Sequence, residues 1–305
     1  MLAYSLMKLM SRIACVQPTC FNDALAYALG HIGWLATPKW RRYMAKENVK
    51  ECLGVTEAEA ERIAKESVTR FGRMLIEVLR YPLINQDNFR NLVHFEGLEH
   101  LEEAYAEGRG VIMCTAHYGN WEMLGASMAL LGYPILSITR KQNDGDADRF
   151  INEYRQMVGQ HVTYNHGKSS MLSIGRYLKD KHLVGILYDQ DSAHTGEHLE
   201  LFGKPARVPD GAAQLARVFK APIVPLFMHN QPDGTLTAVI HPCFHADPQL
   251  SREENSHVIM EKLIRIAEEE IRRDPAMWFW VHDRWKDGKR RYHDRKHFST
   301  PMTGN

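Results

Sequence analysis

Two kinds of hydrophobic pattern divide the chain. Up to about residue 85 the apolar positions recur at helical spacing. The first stretch, MLAYSLMKLMSRIACV, is broken by Lys8 and Arg12, and a second apolar stretch spans 24–36. Thr56 followed by Glu59 has the form of a capping box, and the helix it opens runs through Arg62, Ser67, Phe71 and Leu75 until Pro82 stops it. From about Val93 short β-rich runs alternate with helical ones. The runs 92–95, 111–115, 134–139, 183–188, 223–228 and 236–240 are predicted strands. Helices are predicted near 98–107, 120–131, 146–158, 169–179, 211–219 and 251–273. Such alternation predicts an α/β sheet covered by helices. The run Phe202-Gly203-Lys204-Pro205-Ala206 reads as a turn.

Composition narrows the classes. With 305 residues there is material for one large domain or two small ones. A formal net charge of +1 argues against a nucleic-acid binder with a global basic field. The five cysteines are odd in number and lack zinc or disulfide spacing, which fits a reducing compartment. No run reaches the ~18 uninterrupted apolar residues of a spanning helix. The N-terminus also lacks the basic start and small-residue cleavage site of a signal peptide. Its two apolar helices, with Trp34, Lys39, Trp40, Arg41 and Arg42 nearby, fit either core packing or an interfacial position on a membrane.

The candidate chemistry centres on one segment, VIMCTAHYGNWEMLG from Val111. It reads as strand, turn, helix, with His117 in the turn and Glu122 in the helix's first turn. Gly119 permits a tight turn, and Asn120 suits the helix N-cap. Glu122 can accept from one imidazole nitrogen of His117 and leave the other free as a base. By itself a His-x4-Glu pair is weak evidence. Other strand ends carry Arg140-Lys141, suited to an anionic group, and Asp189, able to orient a basic residue or a sugar. Arg155 on the following helix can join Arg140. Asp189, Asp191, His194 and His198 admit a rival metal-hydrolase reading, but their spacing matches no established ligand motif. No Gly-x-Ser-x-Gly elbow, P-loop or Gly-x-Gly-x-x-Gly occurs. An aromatic block from Pro275 to Lys286 reads as structural, and the tail from Lys289 to His297 is basic.

The segment Thr115-Ala116-His117-Tyr118-Gly119-Asn120-Trp121-Glu122 resembles the His-x4-Glu block of the bacterial lipid A biosynthesis acyltransferases, relatives of the glycerolipid acyltransferases. The likeness extends from about residue 25 to 286, through the Phe-Gly-x-Pro-Ala turn and Trp280, Arg284 and Trp285. It implies a central mixed sheet covered by helices, with a membrane-associated helical region at 1–85, an acyltransferase domain at 86–290 and a basic tail at 291–305. It implies His117 and Glu122 as catalytic residues, with Asn120, Arg140, Lys141, Arg155 and Asp189 as substrate-binding candidates, and no metal or cofactor. The implied donor is acyl-acyl carrier protein and the implied acceptor a lipid A precursor, at the cytoplasmic face of a bacterial inner membrane. A mannosylated inositol lipid is an alternative acceptor, and a non-catalytic lipid-binding protein is an alternative of another class.

Overall fold

A computed structural model describes residues 2–165, 167–191, 196–286 and 291. His194 and most of the basic tail lie outside the described residues. Four helices come first: α1 (Leu2–Val16), α2 (Thr19–Ala36), α3 (Lys39–Leu53) and α4 (Glu57–Leu79). The Thr56 hydroxyl accepts from the Glu59 amide at 3.3 Å, one half of the expected capping box, while the Glu59 carboxylate accepts from Arg62 instead. Helix α2 crosses α4 through a glycine pair. A Cβ on Gly30 would sit 2.3 Å from the Thr69 carbonyl oxygen, and one on Gly72 2.4 Å from that of Ala26. Helix α1 leaves Leu2, Leu6, Leu9, Ile13 and Val16 exposed. Their spacing places them on one face. No helix among the described residues is long and apolar enough to cross a membrane.

The remainder is an α/β unit. Its elements are β1 (Val93–Glu96), α5 (Leu98–Ala106), β2 (Val111–Thr115), α6 (Trp121–Leu130), β3 (Ile135–Thr139), α7 (Gly145–Met157), β4 (Gln160–Tyr164), α8 (Lys168–Lys179) and β5 (Leu183–Leu187). They continue with β6 (Glu197–Leu201), β7 (Lys204–Val208), α9 (Gly211–Phe219), β8 (Ile223–Asn230), β9 (Leu236–Ile240) and α10 (Arg252–Arg273). The central sheet has seven strands in the order β1-β9-β8-β2-β5-β3-β4. Strands β8, β2, β5, β3 and β4 run parallel, whereas β9 is antiparallel to β8 and carries β1 alongside it, so the sheet is mixed.

Strand β2 lies deep in this sheet, and all five of its residues are buried. Side chains alternate across a sheet. Val111 and Met113 therefore join one core with Met123 and Leu226, while Ile112 and Cys114 join the other with Leu263 and Ala213. A strand covered on both faces reads as an unbroken apolar run, the pattern visible in the sequence. The structure adds three strands to those expected. β4 is polar and mostly half-buried, so its pattern carries no strong signal. The presumed turn at 202–206 is the tip and return of the β6–β7 hairpin, in which Leu201 pairs with Lys204 across Phe202 and Gly203.

Candidate active site

Parallel strands β2 and β5 are neighbours in register, Thr115 opposite Leu187. The residues just past their carboxyl ends therefore lie side by side, at the usual ligand crevice of an α/β sheet. From β2 comes His117 and from β5 comes Asp189. His117 Nδ1 lies 2.7 Å from Asp189 Oδ1, and the His117 backbone amide donates to Oδ2 at 3.0 Å. The Trp278 indole donates to the same Oδ2 at 2.8 Å. Burial pushes the Asp189 carboxyl up, but the charge and hydrogen bonds of His117, with the Trp278 indole, bring it down to about 2. An ionised carboxylate can only accept. Nδ1 must then carry the proton, and in neutral His117 the lone pair is on Nε2. The His117 side chain is 21% exposed while that of Asp189 is 6% exposed, so the base is reachable and its partner is not.

The turn is fixed by backbone. Gly119 donates its amide to the Met277 carbonyl at 2.9 Å, and the Phe279 amide donates to His117 at 3.1 Å. Gly119 has φ +57, and a Cβ on it would lie 1.7 Å from the Met228 carbonyl oxygen. Gly119→Ala should therefore displace the turn. We expect a loss of more than about 2 kcal/mol of stability and most of the activity; thermal unfolding and turnover at wild-type values would refute this.

Four expectations are corrected here. Glu122 does not serve as the carboxylate on His117 Nδ1. It is buried in a bidentate pair with Arg155, with Nε to Oε2 at 2.8 Å and Nη2 to Oε1 at 2.6 Å. Burial would raise its carboxyl, but Arg155 outweighs that and holds it below the usual range. A carboxylate this deep in an apolar helix needs a cation, and Arg155 of α7 supplies it. For the same reason Arg155 is not free to take a substrate anion: it is 9% exposed, and its third nitrogen donates to Asn152 at 3.2 Å. Asn120 is likewise committed. Its Oδ1 caps α6 by accepting from the Met123 amide at 2.8 Å, and its Nδ2 donates to Glu77 of α4. Asp189, expected among substrate-binding residues, is the orienting group for His117. Arg140 and Lys141 are exposed just past the carboxyl end of β3, the strand beyond β5.

Two residues escaped the sequence reading. Trp278 was taken as packing, and Glu77 had no signal beyond its place in a helix. An apolar wall flanks the base. The Trp121 ring meets His117 edge-on with centroids 5.0 Å apart, and Phe71 and Phe279 lie 5.9 and 6.4 Å from Trp121. Such a wall excludes water and suits an apolar substrate. Among the described residues no group of His, Cys, Asp or Glu is arranged to hold a metal ion.

A dyad with a free imidazole nitrogen beside an aromatic wall can take a proton from a hydroxyl during acyl transfer. The sequence profile of the bacterial lipid A biosynthesis acyltransferases matches residues 10–287. The chain belongs to that family. It is an acyltransferase. Among curated relatives, a phosphatidylinositol mannoside acyltransferase of Mycobacterium tuberculosis is 28% identical over 223 residues, covering 66% of this chain and 70% of that one. A lipid A biosynthesis palmitoleoyltransferase of Escherichia coli is 26% identical over 261 residues, covering 84% and 82%. A solved 1-acyl-sn-glycerophosphate acyltransferase, PlsC of Thermotoga maritima, aligns with a TM-score of 0.35 at 14% identity, over 78% of this chain and 97% of that one.

Proposed function

We propose that this acyltransferase moves a fatty acyl chain from acyl-acyl carrier protein to a hydroxyl of a lipid A precursor. The observation that carries the reading is the ionised Asp189 on His117 Nδ1, which leaves Nε2 as the base. In this scheme Nε2 takes the proton of the acceptor hydroxyl as its oxygen attacks the thioester carbonyl. The new ester C–O bond forms, the C–S bond breaks, and the carrier thiolate leaves and recovers the proton from the imidazolium. Asp189 holds the ring and stabilises its charged form. Trp121, Phe71 and Phe279 border the acyl chain near the thioester. Arg140 and Lys141 offer exposed charge to an anionic group of the glycolipid.

The exposed apolar face of α1, with Phe21, Ile32 and Leu35 of α2, lies on the membrane surface in this reading. Arg12, Arg41 and Arg42 supply cations for anionic headgroups. The site is then at the cytoplasmic face of the inner membrane, where a soluble carrier can meet a lipid acceptor. In vesicle flotation the wild-type protein should float with anionic vesicles, and a Leu2→Ser, Leu6→Ser, Leu9→Ser variant should stay in the dense fraction. Co-flotation of that variant would sink the α1 assignment.

The test of function is a mass-spectrometric assay with a tetra-acylated, Kdo-bearing lipid A precursor and a panel of acyl-acyl carrier proteins. A product heavier by one acyl chain, missing with His117→Ala, is expected. The phosphatidylinositol mannoside acyltransferases among the relatives favour one second reading, a phosphatidylinositol mannoside-like acceptor. Product with that acceptor alone would replace the lipid A assignment.

A further inference from the structure

Arg284 is 2% exposed, yet none of its three guanidinium nitrogens has a hydrogen-bond partner. The contrast with Arg155 is direct: there, a guanidinium that is also buried spends its nitrogens on Glu122 and Asn152. Burying an unpaired cation is among the more expensive things a fold can do. The local carboxylates offset that cost only in part, and burial outweighs them. Arg284 feels the charges of Asp189 and Asp191. Asp189 gives its oxygens to His117 and Trp278, and Asp191 faces Lys286 at 3.7 Å.

A second polar atom on the same segment is also unmatched. His282 Nε2 is buried without a partner. The Arg284 amide donates to the His282 carbonyl at 2.8 Å, the His282 amide to the Phe279 carbonyl at 3.3 Å and the Phe279 amide to the His117 carbonyl at 3.1 Å, which ties Arg284 and His282 to the His117 turn. Burial, the largest influence, brings the His282 imidazole down to about 4, so it is neutral at ordinary pH and able to offer a hydrogen bond without adding charge. The segment is well anchored. Phe279 bonds to His117 through the backbone, and the Trp280 indole donates to the Pro275 carbonyl at 2.8 Å. A guanidinium has donors only, in a planar fork that matches two oxygens of one phosphate. Lys286, with its side chain 59% exposed, supplies the outer charge that draws an anion to this side.

We propose that Arg284, assisted by His282, binds a phosphate group of a substrate next to the His117–Asp189 pair. The inference rests on the acyl-transfer reading only for which substrate brings the phosphate, the glycolipid acceptor or the phosphodiester arm of the acyl carrier. It also gives the site the buried anion receptor that Arg155, locked to Glu122, does not provide.

The first experiment needs no turnover. Inorganic phosphate is titrated into the full-length protein at constant ionic strength, with chloride as control, and followed by calorimetry and thermal unfolding. Wild-type protein should bind phosphate and be stabilised, while Arg284→Gln should bind at least 10-fold more weakly and Arg284→Lys in between. No specific response in the wild type, or equal binding by Arg284→Gln, overturns the proposal. Should Arg284→Gln not fold, wild-type crystals soaked in tungstate decide: an anomalous peak within hydrogen-bond distance of the guanidinium is expected, and a peak elsewhere or none refutes it. In the acyl-transfer assay, Arg284→Lys should raise KM about 10-fold for one substrate. A rise for the acceptor assigns its phosphate, a rise for the donor assigns the carrier arm, and unchanged KM for both overturns the site. Failure of wild-type acyl transfer with intact phosphate binding would sink the proposed reaction and leave the receptor standing.

Discussion

Asp189→Asn should lower kcat by about 10²–10⁴ while leaving a folded protein. The reason lies in which atom faces His117. An amide can still accept from the His117 backbone and the Trp278 indole through its oxygen. Its nitrogen then points at Nδ1 and donates, so Nδ1 becomes the acceptor and the ring proton moves to Nε2. The base is thereby blocked without removal of any ring atom. His117→Ala should cost about as much, and the double variant little more than either alone, because the two residues act as a unit. Steady-state rates with the acceptor and donor above, on variants checked by thermal unfolding, measure this. Wild-type turnover by Asp189→Asn would remove the dyad from the mechanism. The same pair has a pH signature. The Asp189 carboxyl is brought from an ordinary 3.8 to about 2 in the folded protein. The stability it contributes is full above the ordinary value and is lost as pH falls from there towards 2. Activity lost at milder acidity therefore reports a group other than Asp189.

The second large effect concerns Glu122. Glu122→Ala leaves Arg155 buried and unpaired, and breaking such a pair costs about 3–5 kcal/mol. For a chain of this size the melting temperature should fall on the order of 10 °C. Arg155→Met should cost a similar amount, because it strands the carboxylate instead. The double variant Glu122→Ala, Arg155→Met should be more stable than the sum of the single losses allows, with a coupling of more than about 1 kcal/mol. Loss of activity in Glu122→Ala is then largely loss of the fold around the turn. Should Glu122→Ala melt like the wild type and yet be inactive, the carboxylate acts on the chemistry directly and the structural account fails.

These two cases mark what could be read from the chain. Strand β2, its turn and helix α6 were legible because their pattern is local: an apolar run, Gly119, a capping Asn120. The same holds for Thr56 as the N-cap of α4. His117 was legible as a candidate base because its block is contiguous. Its partner was not, because Asp189 reaches it only through the side-by-side placement of β2 and β5, strands 72 residues apart in sequence at the contact. Strand order has no local signature. The five-residue spacing to Glu122 suggested the wrong carboxylate for the imidazole. Trp278 was invisible for a related reason. An indole in an aromatic block looks like packing until its nitrogen is seen on Asp189, another 89 residues away in sequence.

That last contact bears on how the chain acquires its activity during synthesis. The base, its orienting carboxylate and the indole leave the ribosome in that order, widely separated in time. A nascent chain halted before residue 275 has both members of the dyad but lacks the backbone strap on the His117 turn and the second donor to Asp189. The apolar faces of α1 and α2, by contrast, emerge first. Whatever covers those faces can thus meet the chain before the segment around Trp278 exists to reach Asp189 and the His117 turn.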